Sequence, residues 1–289
     1  MRTGIREELL TTAATGNLPG LPQRPGQLQR WSSLHGSAVA LRLHQAMLRM
    51  GRGLLVVLTG SPGQAQQIET ELRFYGGSGQ PEILSFPDWE TLPYDVFSPH
   101  PDIVSDRLRT LARLRTVEHA ILVVPMTTFL QRLPPRSYVA GHVLELTVGG
   151  RLDPESSRRE LEQSGYRCVP EVNEHGEFAI RGSVVDIFPM GGDQPIRVDL
   201  FDQDIETIRH FDPETQLGGE RVPTVSLLPG REFPVDEAAI ARFRAGFRAR
   251  FEGDPTRSRI YREVSEGRFP GGVESYLPLF HEETATLFD

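Results

Sequence analysis

Lysine is absent. The 289 residues carry 31 basic side chains, every one an arginine, against 39 carboxylates, for a formal net charge of −8. A Walker-type phosphate loop uses a lysine to reach the β- and γ-phosphates. Schiff-base catalysis uses a lysine amine. Neither chemistry can run on this polypeptide alone. Arginine keeps the positive charge, does not titrate near neutrality and favours flat, bidentate partners. Cysteine is almost absent too: the single Cys168 permits no intrachain disulfide, excludes a zinc site built on several thiolates and fits a reducing compartment. Long apolar runs are missing. The longest, Leu54–Leu58 and Ala120–Pro125, fall far short of the ~18–20 residues of a membrane span, and the N-terminus lacks the basic-then-apolar order of a secretory signal. The expectation is a cytoplasmic chain with no membrane partner. Its acidic balance disfavours a DNA-wrapping role, which needs a cationic surface.

What is present reads as two textures. Residues 1–30 begin with a short helical stretch and turn Gly/Pro/Gln-rich, as an N-terminal arm. From there to about Pro135, helices at 38–50, 63–75 and 103–115 alternate with continuous apolar strands at 53–58, 82–86 and 120–124. That alternation predicts a parallel α/β sheet. After Pro134-Pro135 a helix starts at Asp153-Pro154, an N-cap followed by proline. Short strands then crowd together at 166–172, 178–181, 184–188, 195–201, 205–211 and 222–228, as expected of a small antiparallel α+β domain. A helix returns from Pro234 to Phe251.

Four stretches could carry chemistry. Gly36-Ser37, at the head of the first helix, sits where α/β proteins cradle phosphate, but the second glycine, the lysine and the Ser/Thr after it are missing; a tight strand-to-helix turn is the ordinary reading. The segment FPDWETLPYDVFSPH (86–100) mixes four aromatics with three carboxylates and a histidine. It matches no ligand template and reads as an ordered loop packed by its own rings, with partner binding as the alternative. In EHGEFAIRGSVVDIFP (174–189), strand alternation puts Phe178 and Ile180 on one face and Ala179 and Arg181 on the other. Arg181, with Phe178 at the sheet rim, is either a surface anchor of a kind common in protein interfaces or an arginine paired with Asp186 or Glu177. Last, Ile240, Phe243, Phe247 and Phe251 form a helical stripe flanked by Arg242, Arg244, Arg248 and Arg250: a solvated helix face, or a DNA-binding helix. No catalytic set and no metal-ligand set emerges.

The phrases FPDWETLPYDVFSPHPDIVSDRL, ILVVPMTTFLQRLPP, EHGEFAIRGSVVDIFPMG and LLPGREFPVDEAAIARFR resemble, in order and spacing, the N-terminal UvrB-like region of the bacterial transcription-repair coupling factors (Mfd). The resemblance implies a UvrB-like fold: a degenerate helicase-type parallel α/β domain over 1–137, interrupted by a small α+β domain over 138–233 and resumed over 234–289. It implies that the small domain binds UvrA, the damage-recognition protein of nucleotide-excision repair, with Arg181 the first candidate contact, followed by Arg167 and Phe178. It makes Gly36 and Ser37 the non-functional remnant of a phosphate loop, so no cofactor is expected here. ATP and Mg, together with contacts to RNA polymerase and double-stranded DNA, are expected of other parts of a longer parent, of which this chain reads as a fragment. Residues 98–120 hold no insertion resembling UvrB's damage-probing hairpin. A residual nucleotide-binding domain or a direct DNA-binding module are the rival readings.

Overall fold

A computed structural model describes residues 21–22, 24–76 and 81–289. Most of the arm expected over 1–30, including its helical start, lies outside the described residues. The chain is mixed α/β and divides into two compact units, residues 1–86 with 117–127 and residues 87–116 with 128–289. These boundaries differ from 1–137, 138–233 and 234–289. The helix expected at 103–115 and the segment after Pro234 both belong to the second unit.

In the first unit, α1 (Ala38–Met50) and α2 (Pro62–Tyr75) flank β1 (Gly53–Thr59), and β2 (Glu82–Ser85) and β3 (His119–Pro125) complete a three-stranded sheet of order β1-β3-β2. Both pairings are parallel, with Val56 opposite Leu122 and Ile83 opposite Ile121. The helix ends follow local chemistry. Ser61 caps α2 by accepting from the Gln64 N–H, with Pro62 at the first position, and Gly51 closes α1 at φ 66°. Ala40 and Met47 of α1 and Ala65 and Leu72 of α2 pack on Val57, Ile121 and Val123. The other side of β1 shows Leu54, Val56 and Leu58, each about two-fifths exposed.

The second unit begins with α3 (Pro101–Leu114) and α4 (Arg136–Gly141). Strand β4 (Leu144–Thr147) pairs antiparallel with β11 (Thr224–Leu227). Helix α5 (Pro154–Gln163), capped by the Asp153 carboxylate, leads into a six-stranded sheet: β5 (Arg167–Cys168), β6 (Glu177–Arg181), β7 (Val184–Ile187), β8 (Ile196–Phe201), β9 (Asp204–Phe211) and β10 (Gly218–Arg221), in the order β10-β9-β8-β7-β6-β5. Every neighbouring pair from β6 to β10 is antiparallel, whereas β5 runs parallel to β6 and is only two residues long. The strand expected over 166–172 is therefore shorter, and the sheet is not wholly antiparallel. The cause lies in β6: after Cys168 the chain must return to the start of that strand, and the loop through Gly176 carries it there, with Arg167 N–H bonded to the Gly176 carbonyl.

One face of this sheet is apolar. Phe178, Ile187 and Ile196 line up across three strands, and Ile180, Val185, Val198 and Ile208 across four, and they pack with Leu161 of α5, Leu108 of α3 and Tyr166. A second core joins α6 (Glu237–Arg250) and α7 (Arg259–Ser265) to the 3-10 helix Val273–Leu279 through Phe243, Phe247, Tyr261, Val264 and Phe280.

Candidate partner-binding face

The opposite face of the six-stranded sheet carries charged residues around a small apolar cluster of Val172, Ala179, Phe188 and Phe211. Period-2 alternation sends Glu177, Ala179 and Arg181 of β6 away from the core, and the register sets Ala179 beside Asp186, Asp186 beside Arg197 and Arg197 beside Arg209. The Asp186 carboxylate is fully buried and is the hub: Arg197 donates to it through Nε (2.7 Å) and Nη2 (2.9 Å), and Arg181 donates through Nη2. Arg197 also lies over the Phe211 ring at 4.8 Å, and its hydrogen bonds to Asp186 hold it charged more firmly than a free arginine. Arg209 pairs with Asp199, to which Thr207 also donates (2.6 Å).

Of the two readings open in the sequence, local pairing is the one seen for Arg181. It is paired with Asp186, yet its side chain remains half exposed. One edge of the guanidinium is fixed by the buried carboxylate and the remainder faces water, which pre-orients its remaining N–H groups for an incoming acceptor. Arg167 is held the same way at the other end of β6. It stands opposite Glu177 and donates to that carboxylate, which is itself buried and accepts the N–H groups of Asn173 (2.9 Å) and Glu174 (3.0 Å). Arg167 keeps a side-chain exposure of 66%. The two arginines stand four strand positions apart, roughly 13 Å.

Phe178 does not join them. Its side chain is fully buried in the sheet's apolar core, so its expected place at the rim is corrected: alternation already assigned it to the face away from Arg181, and α5 covers that face. The sequence offers Asp186 only as one possible partner of Arg181 and gives no sign of Arg197 as the second arginine on that carboxylate. The alternation Arg197-Val198-Asp199-Leu200 is visible, but which strand stands beside which is not.

The other stretches resolve differently. Gly36 has φ 54° with open space around it, and Ser37 precedes α1 without capping it, its Oγ lying 2.8 Å from the Tyr75 hydroxyl. No strand runs into this turn among the described residues, so the expected strand-to-helix turn is corrected to a loop-to-helix turn. On α6, Phe243 and Phe247 are buried, Arg242 donates to the Phe280 carbonyl (3.0 Å) and Arg248 to the Tyr261 hydroxyl (2.8 Å). Arg244 also hydrogen-bonds Tyr261, so three of the four arginines there are engaged within the fold. The 86–100 loop is ordered but not packed by its own rings: Tyr94 and Phe97 are exposed at 62% and 68%. Among the described residues no group of three or more His, Cys, Asp or Glu side chains is placed to hold a metal ion, and no helix is long and apolar enough to cross a membrane.

Comparison with known proteins converges on the same region. Residues 144–233, which include the six-stranded sheet and the β4–β11 pair, match the family model of the UvrB interaction domain. The chain is 40% identical over 263 residues to the transcription-repair-coupling factor of Escherichia coli, covering 91% of this chain and 23% of that protein. It is 40% identical over 274 residues to that of Haemophilus influenzae (94% and 23%) and 32% identical over 279 residues to that of Myxococcus xanthus (92% and 23%). It spans about a quarter of the length of these relatives.

Proposed function

From a chain that matches the N-terminal UvrB-like region of the transcription-repair coupling factors, we propose that this protein is a non-catalytic adaptor that recruits UvrA to RNA polymerase stalled at DNA damage. The charged face of the six-stranded sheet is the contact surface. Arg181 and Arg167 offer their free guanidinium edges to carboxylates or carbonyls on UvrA, while Asp186 and Glu177 hold them in place. The observation that carries this reading is the coincidence of the UvrB interaction domain with two exposed arginines, each anchored on a buried carboxylate. Release of polymerase, translocation on double-stranded DNA, and the ATP and Mg that drive it belong to the remainder of a longer parent protein working in the cytoplasm.

Titration calorimetry with UvrA tests this. Arg181→Ala weakens binding by about 1–3 kcal/mol, the range of an interface hot spot. Unchanged affinity removes Arg181 from the contact. Micromolar ATP binding dependent on Gly36 would favour the nucleotide-binding rival instead. A salt-dependent duplex-DNA complex lost on substitution of the α6 arginines would favour the DNA-binding rival.

A further inference from the structure

The loop between Pro87 and Pro99 lies outside the residues matched by the UvrB interaction domain and exposes several large apolar side chains. Leu92, Tyr94, Val96 and Phe97 are 74%, 62%, 60% and 68% exposed within six residues of chain. Such a cluster on a soluble chain marks an interaction site more often than chance.

This loop is not loose. Arg107 of α3 donates to the Pro87 carbonyl (2.8 Å) and lies 5.0 Å from the Trp89 ring centre. Thr128 donates to Asp88 (3.1 Å), and Ser98 donates to Glu274 (2.8 Å). The Tyr94 N–H donates to Ser275 Oγ (2.9 Å), and the Tyr94 ring meets Tyr276 edge-on at 5.4 Å. The backbone at Asp95 and Val96 lies so close to Gly271 and Gly272 that a Cβ on either glycine would overlap their carbonyls. Glu90 and Tyr94 sit at φ 58° and 62°, a conformation costly for side-chain-bearing residues and kept where the surroundings over-determine it. The loop thus presents its apolar side chains with their ordering cost already met in the free protein, the condition under which aromatic anchors bind well.

We propose that this loop is a second anchor for the protein partner that takes Arg167 and Arg181, seating Leu92 and Phe97 in an apolar recess bordered by basic residues. The inference rests on the reading of Arg167 and Arg181 given above. Continuity supports it: Trp89 and Ser98 at the two ends of the loop line one open cavity of about 270 Å³ together with Arg167 and Glu174. A partner seated on Arg167 therefore reaches the loop. Charge sets the chemistry of that partner. Residues 88–98 hold Asp88, Glu90 and Asp95 and no basic residue, which repels nucleic acid and favours a cationic rim.

The test is the double substitution Leu92→Ser with Phe97→Ser in the full chain, compared with wild type and with Arg181→Ala for binding to UvrA. Both replaced side chains are exposed, so melting temperature should hold, and a matched melting curve establishes this. The expected result is at least tenfold weaker UvrA binding by the loop variant. Wild-type affinity in the folded loop variant overturns the second anchor while leaving the reading of the sheet face intact. No UvrA binding by the wild type overturns both. Hydrogen exchange supplies a readout free of substitution: amides 92–97 should gain protection in the complex, and their unchanged exchange in a saturated complex overturns the proposal. If the substitutions abolish self-association or single-stranded DNA binding and leave UvrA binding unchanged, the occupant is a second copy or nucleic acid and the proposal fails.

Discussion

Arg107 and Glu232 form an ion pair removed from water. The Arg107 side chain is 0% exposed, that of Glu232 is 3%, and Nε stands 2.6 Å from Oε1. The pair links α3 to the segment that enters α6, so residues 125 positions apart in the chain are locked together. Breaking one side of such a pair strands a buried charge, at a cost of about 3–5 kcal/mol. Arg107→Met and Glu232→Leu should each destabilise the second unit by about that much in urea denaturation. The double variant should recover much of the loss. Additive losses would show that the two groups act independently.

Phe178 supplies a control for the binding surface. Phe178→Ala should cost about 3–5 kcal/mol of stability, as for a large buried aromatic. Phe178→Leu should cost less and bind UvrA as the wild type does wherever both are folded. Weakened binding by a fully folded Phe178→Leu would return this residue to the interface.

Two glycines separate conformational from steric demand. Gly182, in the β6–β7 turn, has φ 62° with nothing within 4 Å of an added Cβ, so Gly182→Ala should lose only about 1–2 kcal/mol, the cost of the left-handed conformation. Gly272 has φ 85° and lies against the Asp95 carbonyl. Gly272→Ala adds overpacking to the same backbone cost, for about 2–5 kcal/mol in all. Denaturant midpoints of the two variants should differ clearly, and equal midpoints would show that the loop yields.

His281 gives the second unit a pH dependence. Burial lowers its pKa below the ordinary histidine value, an effect only partly offset by its contact with the Glu232 carbonyl. The unfolded chain then binds the proton more readily than the folded one, so stability is full above about pH 6.5 and falls as pH drops through the unfolded value toward the lower folded one. Urea midpoints at pH 7.5 and 5.5 should show this decline. His281→Phe should flatten that part of the profile while leaving the contribution of the carboxylates.

Local periodicity made most elements legible. Helix α1 is legible from Val39, Leu43, Ala46 and Met47, and strands β6 to β9 from alternation such as Ile196-Arg197-Val198-Asp199; β10 is not, and the strand expected over 222–228 pairs with β4 instead of joining the six-stranded sheet. What was not legible was pairing. Whether Arg181 is a free anchor or a locally paired residue depends on Asp186 lying diagonally across β6 and β7 and on Arg197 sharing that carboxylate, which no single strand encodes. Strand parity puts Phe178 on the face away from Arg181, but that this face is covered, leaving no rim position for the ring, depends on Leu161 and Tyr166 packing against it. The exposure of Tyr94 and Phe97 was hidden because an aromatic-rich loop looks self-packed until the residues that pin it, Gly271, Gly272 and Ser275, are brought in from the distant end of the chain.

Strand β1 carries a consequence for handling the protein. Its sequence, GLLVVLT, has neither charge nor proline, and it lies at the end of the β1-β3-β2 order with Leu54, Val56 and Leu58 partly open to water. An uncharged strand at the edge of a sheet, as β1 is among the described residues, is a template for strand addition between molecules. Concentrated solutions should accordingly lose material by slow, nucleated fibril growth before the second unit unfolds. Val56→Arg, which places a charge on this partly exposed side chain, should lengthen the lag without altering the affinity of the arginine face of the second unit for its partner.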